Sequence, residues 1–96
     1  MNFLDFIKRE RDEILRIFLR HKASNIRLFG STARGEEKPD SDIDFLVTFR
    51  EDAGLLDHSL LMVELRELFG RKVDVVSDKA LDRYMRAAVL EEAIPF

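Results

Sequence analysis

The stretch GSTARGEEKPDSDID, residues Gly30 to Asp44, decides how the rest of this chain is read. It opens on a Gly-Ser pair, crosses a polar loop and closes on two aspartates one residue apart. Ile43 to Phe49 alternates as a strand. Ile43, Phe45, Val47 and Phe49 line one face, and Asp42, Asp44, Leu46 and Thr48 line the other. Two carboxylates therefore point the same way from Cα positions about 6–7 Å apart. Unscreened, they repel, and one tends to stay protonated. A hard divalent cation resolves the conflict. Mg²⁺ takes oxygen ligands, commonly one or two carboxylates with phosphates and water. Two such ions about 3.5–4 Å apart can activate an attacking oxygen and stabilise a leaving one.

Working outward, residues 25–29 read as a short strand that runs into Gly30-Ser31. Thr32 to Gly35 suits one helical turn, and Glu36 to Ser41 is a polar loop containing Pro39. Antiparallel pairing of the strands on either side would bring Ser31 beside the acidic pair. Gly30 lets a phosphate approach the backbone. Ser31 offers an N–H and a hydroxyl, and the turn after it could present a helix N-terminus to the anion. Arg34, one turn on, reads either as a phosphate contact through its forked guanidinium or as a solvated loop residue. Asp40 and Ser41 suit an Asx-type turn that caps the loop.

Helical periodicity appears in residues 4–21, with Leu4, Ile7, Ile14, Leu15 and Phe18 on one side and His21-Lys22 closing the element. It returns in residues 55–69, where Leu61, Leu65, Leu68 and Phe69 recur and Gly70 supplies a left-handed stop. Lys72 to Val76 is a third strand. Asp74 is the second residue of its run Val73-Asp74-Val75-Val76, and a charge there is costly unless paired. If this strand runs parallel beside the second, Asp74 starts where Asp42 and Asp44 start. It could then ligate a metal or accept a proton; a salt bridge with Arg71 or another base is the structural alternative. Ser77 or Asp78 can cap a last helix reaching about Ala93, which Pro95 ends. The element order α-β-β-α-β-α predicts an α/β (α+β) fold: a small mixed β-sheet with helices packed on it.

Composition narrows the classes. At 46% hydrophobic and 36% charged residues, the 96-residue chain has the profile of one soluble globular domain. No apolar run approaches the ~18 residues of a membrane span, and the charged N-terminus is unlike a secretory segment, so a cytoplasmic location without membrane contact is expected. Cysteine is absent, which excludes disulfides and thiolate metal sites. The net charge of −3 with interspersed signs gives no basic stripe, so direct nucleic-acid binding is not expected.

These residues resemble a known family. Gly30-Ser31, ten residues, then Asp42-Ile43-Asp44 is the GS-x10-DxD signature of the DNA polymerase β-type nucleotidyltransferase superfamily. The wider text LFGSTARGEEKPDSDIDFLV is similar to the minimal nucleotidyltransferases, the MNT or MntA-type antitoxins, over nearly the whole chain. The resemblance implies a single minimal nucleotidyltransferase domain over residues 1–96. It implies ATP as substrate and Mg²⁺, two ions, as cofactor. Gly30 and Ser31, with Arg34, would hold the nucleotide; Asp42 and Asp44 would ligate Mg²⁺; Asp74 would complete the catalytic, metal-binding set. It further implies transfer of AMP to a tyrosine of a HEPN-domain toxin, the partner in a toxin–antitoxin pair. Two alternatives are an antitoxin that neutralises by binding alone and a small-molecule nucleotidyltransferase resembling those that modify aminoglycosides.

Other residues draw plainer readings. His58 suits a surface helix position and His21 a helix end. Tyr84 suits a half-buried helix tyrosine, with self-modification as the alternative. Leu55-Leu56 and Ile94-Pro95-Phe96 are core edges or partner-facing.

Overall fold

The computed structural model describes residues 3–34 and 42–96. The polar loop of residues 36–41, with the turn assigned to Asp40 and Ser41, lies outside the described residues, as does the Ser31 side chain. Helix α1 (Phe3–Arg20) buries Ile7, Ile14, Ile17 and Phe18 and leaves its charges outside. Lys22, at φ 66°, turns the chain into β1 (Ala23–Leu28). A short helix α2 (Gly30–Arg34) follows, then β2 (Ile43–Phe49), α3 (Leu55–Phe69) and β3 (Val73–Ser77). A 3₁₀ turn (Asp78–Ala80), α4 (Arg83–Glu92) and β4 (Ile94–Pro95) complete it. Among the described residues no helix is long and apolar enough to cross a membrane.

The four strands form one mixed sheet in the order β3-β2-β1-β4. β1 is antiparallel to β2 and β4, and β2 is parallel to β3. A bulge between Ser24 and Arg27 distorts the start of β1, where Asn25 takes φ 53°; asparagine visits that left-handed region more readily than most residues. Ile43, Phe45 and Val47 are fully buried against α1 and α3, in a core that Leu61, Leu65, Val73 and Val75 complete. Phe45 is its aromatic centre. Its ring centroid lies 5.1 Å from Phe18, 6.0 Å from Phe69 and 6.1 Å from Phe96. Full burial of one such side chain contributes about 1.5–3 kcal/mol. Gly70 ends α3 at φ 65°, ψ 24°, and its N–H reaches the Arg66 carbonyl at 2.8 Å.

The opposite sheet face carries Asp44, Leu46 and Thr48. Leu46 is fully buried although it lies outside the main core, so something covers it. The 3₁₀ turn that leaves β3 packs on β2. Asp78 accepts a hydrogen bond from the Thr48 hydroxyl at 2.6 Å and sits 3.5 Å from the Arg27 guanidinium. From there α4 must carry the chain from the β3 edge to the β4 edge. The right-handedness of parallel crossovers puts β2-α3-β3 on the α1 face and, with direction reversed, β3-α4-β4 on the other. α4 packs against α2.

Four sequence readings change. Ser77 caps the 3₁₀ turn, through Lys79 N–H, while Asp82 caps α4 by accepting from Met85 N–H at 2.8 Å. The last residues are a two-residue strand, because β1 offers an open edge that the chain can reach after Ala93. His58 is half-buried rather than fully on the surface: its Nε2–H donates to the Val75 carbonyl at 2.6 Å, and its ring lies against Phe49. Tyr84 is 93% exposed rather than half-buried, since α4 buries none of its side chains.

Candidate active site

The topology assembles the predicted residues at one end of the sheet. Parallel pairing of β2 with β3 places Asp44 directly beside Asp74, one strand spacing of about 4.8 Å away. Asp42 precedes β2 by one residue, close enough for its charge to act on Asp44. β1 delivers the Gly-Ser turn to the same end, because Phe29 N–H donates to the Asp44 carbonyl at 3.1 Å.

Gly30 makes the closest approach. It adopts φ +65°, and a Cβ built there would lie 2.8 Å from Asp44 Oδ2. Glycine meets two demands at once: a left-handed backbone and room for a carboxylate. Thr32, one residue beyond Ser31, is buried, and its hydroxyl accepts from the Asp44 N–H at 3.3 Å. The two-residue grip of Phe29 and Thr32 on Asp44 fixes the backbone from which the carboxylate projects. Arg34 closes α2 and pairs with Glu92 of α4 at 3.2 Å.

The electrostatics follow from this crowding. Burial pushes the Asp44 carboxyl above its ordinary range, the charges of Asp74 and Asp42 push it further, and Arg34 opposes them. Lys72 lies 3.7 Å from Asp42. Asp74 is exposed, and among the described residues no ion pair with it forms, so the alternative of a salt bridge to Arg71 is not seen. Nor do three acidic or imidazole side chains among the described residues converge into a ready-made metal cage. The donor set nevertheless fits a hard cation. Mg²⁺ commonly takes only one or two protein carboxylates and fills its remaining positions with phosphate and water. Asp42 and Asp44 are such a pair, and their mutual repulsion is what a cation would relieve.

Two residues at this site escaped the sequence reading. Thr32 is a small polar residue in a polar stretch, and nothing local marks its burial. Glu92 sits 58 residues from Arg34, and only the return of α4 joins them.

Known proteins resemble this chain. Residues 11–95 match the nucleotidyltransferase domain. The chain is 40% identical over 82 residues to a Methanocaldococcus jannaschii protein named, by inference, a protein adenylyltransferase, covering 85% of this chain and 88% of the relative. It is 42% identical over 69 residues to the protein adenylyltransferase MntA of Thermococcus cleftensis, covering 72% and 70%. A solved structure described by inference as a minimal nucleotidyltransferase superposes with a TM-score of 0.88 at 45% identity, over 97% of this chain and 95% of that one. Two toxin–antitoxin structures share the fold at lower identity. One, with AMP-PNP, has a TM-score of 0.74 at 22% identity, over 88% and 69% of the two chains. The other, a tri-AMPylated Shewanella oneidensis HEPN toxin with an MNT antitoxin, has 0.68 at 19%, over 92% and 69%.

Proposed function

The chain belongs to the nucleotidyltransferase domain family, and from that premise we propose that it transfers AMP from ATP to a tyrosine hydroxyl of a HEPN-type toxin and so acts as that toxin's antitoxin. The observation that carries this reading is the in-register pair Asp44–Asp74, with Gly30 held against the Asp44 carboxylate. A polyphosphate site needs an acidic cluster for metal and an open backbone for phosphate, and both occupy one end of the sheet. The relatives named as protein adenylyltransferases supply the reaction class, and the AMPylated toxin of the Shewanella complex suggests the acceptor.

Asp42 and Asp44 would hold Mg²⁺, with Asp74 completing the set; when bound, the ion neutralises charge on the nucleotide's phosphates. The chain's own residues do the rest. Gly30 admits a phosphate to the backbone, Ser31 contributes a hydroxyl and an N–H, and Arg34 contributes a cation. The acceptor oxygen forms a bond to the α-phosphorus, the bond to the β-phosphate bridge breaks, and pyrophosphate leaves. The acceptor's proton passes to a carboxylate, for which Asp74 is the exposed candidate. Rate enhancement comes from positioning and charge rather than from covalent catalysis.

A binding role is the second reading. Leu55, Leu56, Leu60 and Val63 of α3 are all exposed, an apolar surface suited to a protein partner. Incubation with labelled ATP and the cognate toxin separates the two. Asp42→Ala/Asp44→Ala is expected to abolish label transfer and toxin neutralisation together. Neutralisation that survives the double change assigns the protein to stoichiometric occlusion instead.

A further inference from the structure

Glu92 is the last residue of α4, where a carboxylate faces the negative end of its own helix dipole. Its position is nevertheless well determined. Asp82 caps the start of α4, and β4 pins its end to β1, with Phe96 N–H on the Ile26 carbonyl at 2.9 Å and the Phe96 ring on Phe45. The helix between buries no side chain, so these anchors, together with its contact with α2, set where Glu92 lies. They set it 3.2 Å from the Arg34 guanidinium.

We propose that Glu92 is a positioning residue for Arg34, holding its guanidinium at the rim of the acidic face to meet the phosphates of an incoming nucleotide. This rests on the reading of Arg34 as a phosphate contact. Two further observations support it. α2, which Arg34 closes, packs on β2, the strand that carries Asp44. And a guanidinium carries five donors in a rigid fork, enough to hold a carboxylate on one edge and a phosphate on another. Both side chains are about half exposed, so the pair adds little to stability. Its consequence is orientation: a pre-set arginine loses less freedom when the anion arrives.

The test is a double-mutant cycle on Mg²⁺-ATP affinity and on steady-state AMP transfer. Glu92→Ala is expected to weaken nucleotide affinity and raise KM for ATP roughly 2- to 10-fold with kcat little changed. Glu92→Asp is expected to recover part of the loss, and the thermal midpoint to stay at the wild-type value. With Arg34→Ala already present, Glu92→Ala should add nothing. Unchanged affinity in Glu92→Ala, or an effect fully additive with Arg34→Ala, overturns the proposal. So does a loss in Glu92→Ala when Arg34→Ala has none. Wild-type protein that fails to bind Mg²⁺-ATP overturns the functional reading itself, which is a separate result.

Discussion

Gly30 and Asp44 are so close that a methyl group on the glycine would stand 2.8 Å from the carboxylate oxygen. Gly30→Ala therefore meets two penalties: a left-handed backbone at φ +65° and displacement of Asp44. We expect a loss of about 1–3 kcal/mol, a fall in Tm of roughly 5–15 °C. Nucleotide binding should weaken along with it. A melting curve and a titration with Mg²⁺-ATP check both; a variant as stable as wild type would show that the turn relaxes freely.

Asp44 itself is held at a cost. Its carboxyl is pushed upward by burial and by Asp74 and Asp42. A folded-state pKa raised above the unfolded one means the folded chain binds the extra proton. The penalty is thus fully present above the folded pKa and disappears as pH falls through it toward the unfolded value. Asp44→Asn should then stabilise the metal-free protein at neutral pH. The gain, discounted for solvent screening, is below about 1 kcal/mol, a few degrees in Tm. It should shrink in acid, and AMP transfer should be lost. Melts with and without the substitution from pH 7 to pH 4 measure the sign directly.

Asp57 behaves oppositely. It accepts from the Gly54 N–H at 2.9 Å and lies 3.6 Å from Lys22. The backbone bond first, then Lys22, lowers its carboxyl below the ordinary range. Its contribution is present above the unfolded pKa and is lost as pH falls through the folded one. Asp57→Asn is expected to lower Tm at pH 7 and to converge with wild type in strong acid. Equal deficits at both pH values would assign the loss to something other than charge.

Thr32 offers a conservative test of backbone positioning. Thr32→Val keeps the shape and removes the acceptor for the Asp44 N–H. The unpaired donor should cost about 1–3 kcal/mol. Thr32→Ser should restore most of that stability and most of the activity. Hydrogen exchange at the Asp44 amide reports the bond itself, and an exchange rate unaffected by Thr32→Val would remove the role.

On the far side of the same face, half-buried Arg27 and Thr48 hold the buried carboxylate of Asp78. Arg27→Ala strands the Asp78 carboxylate, whose Oδ1 is already buried without a hydrogen-bond partner. The expected loss is about 3–5 kcal/mol. Replacing both residues by apolar ones of similar volume should recover much of it, which urea titrations of the single and double variants would reveal.

Some of this was legible in the linear chain. The alternation of Ile43 to Phe49, the stop at Gly70 and the spacing from Gly30-Ser31 to Asp42 and Asp44 are local patterns, and a periodicity of two or 3.6 residues is enough to read them. The same patterns show that Asp42 and Asp44 share a face and that Asp74 breaks an apolar strand. Local pattern stops there. Asp44 and Asp74 became neighbours only because β3 lies parallel to β2 in register, and the hand of the crossover through α3 settles only the face on which that helix lies. Thr32 became an anchor, and Glu92 a partner for Arg34, only when α2 and the returning α4 packed at the same end of the sheet. His58 and Tyr84 exchanged the environments that their helices suggested, because burial depends on what another element covers. Side-chain period is written residue by residue along a strand or helix, whereas register, cover and long-range ion pairs arise from minimising exposed apolar surface over the whole chain at once.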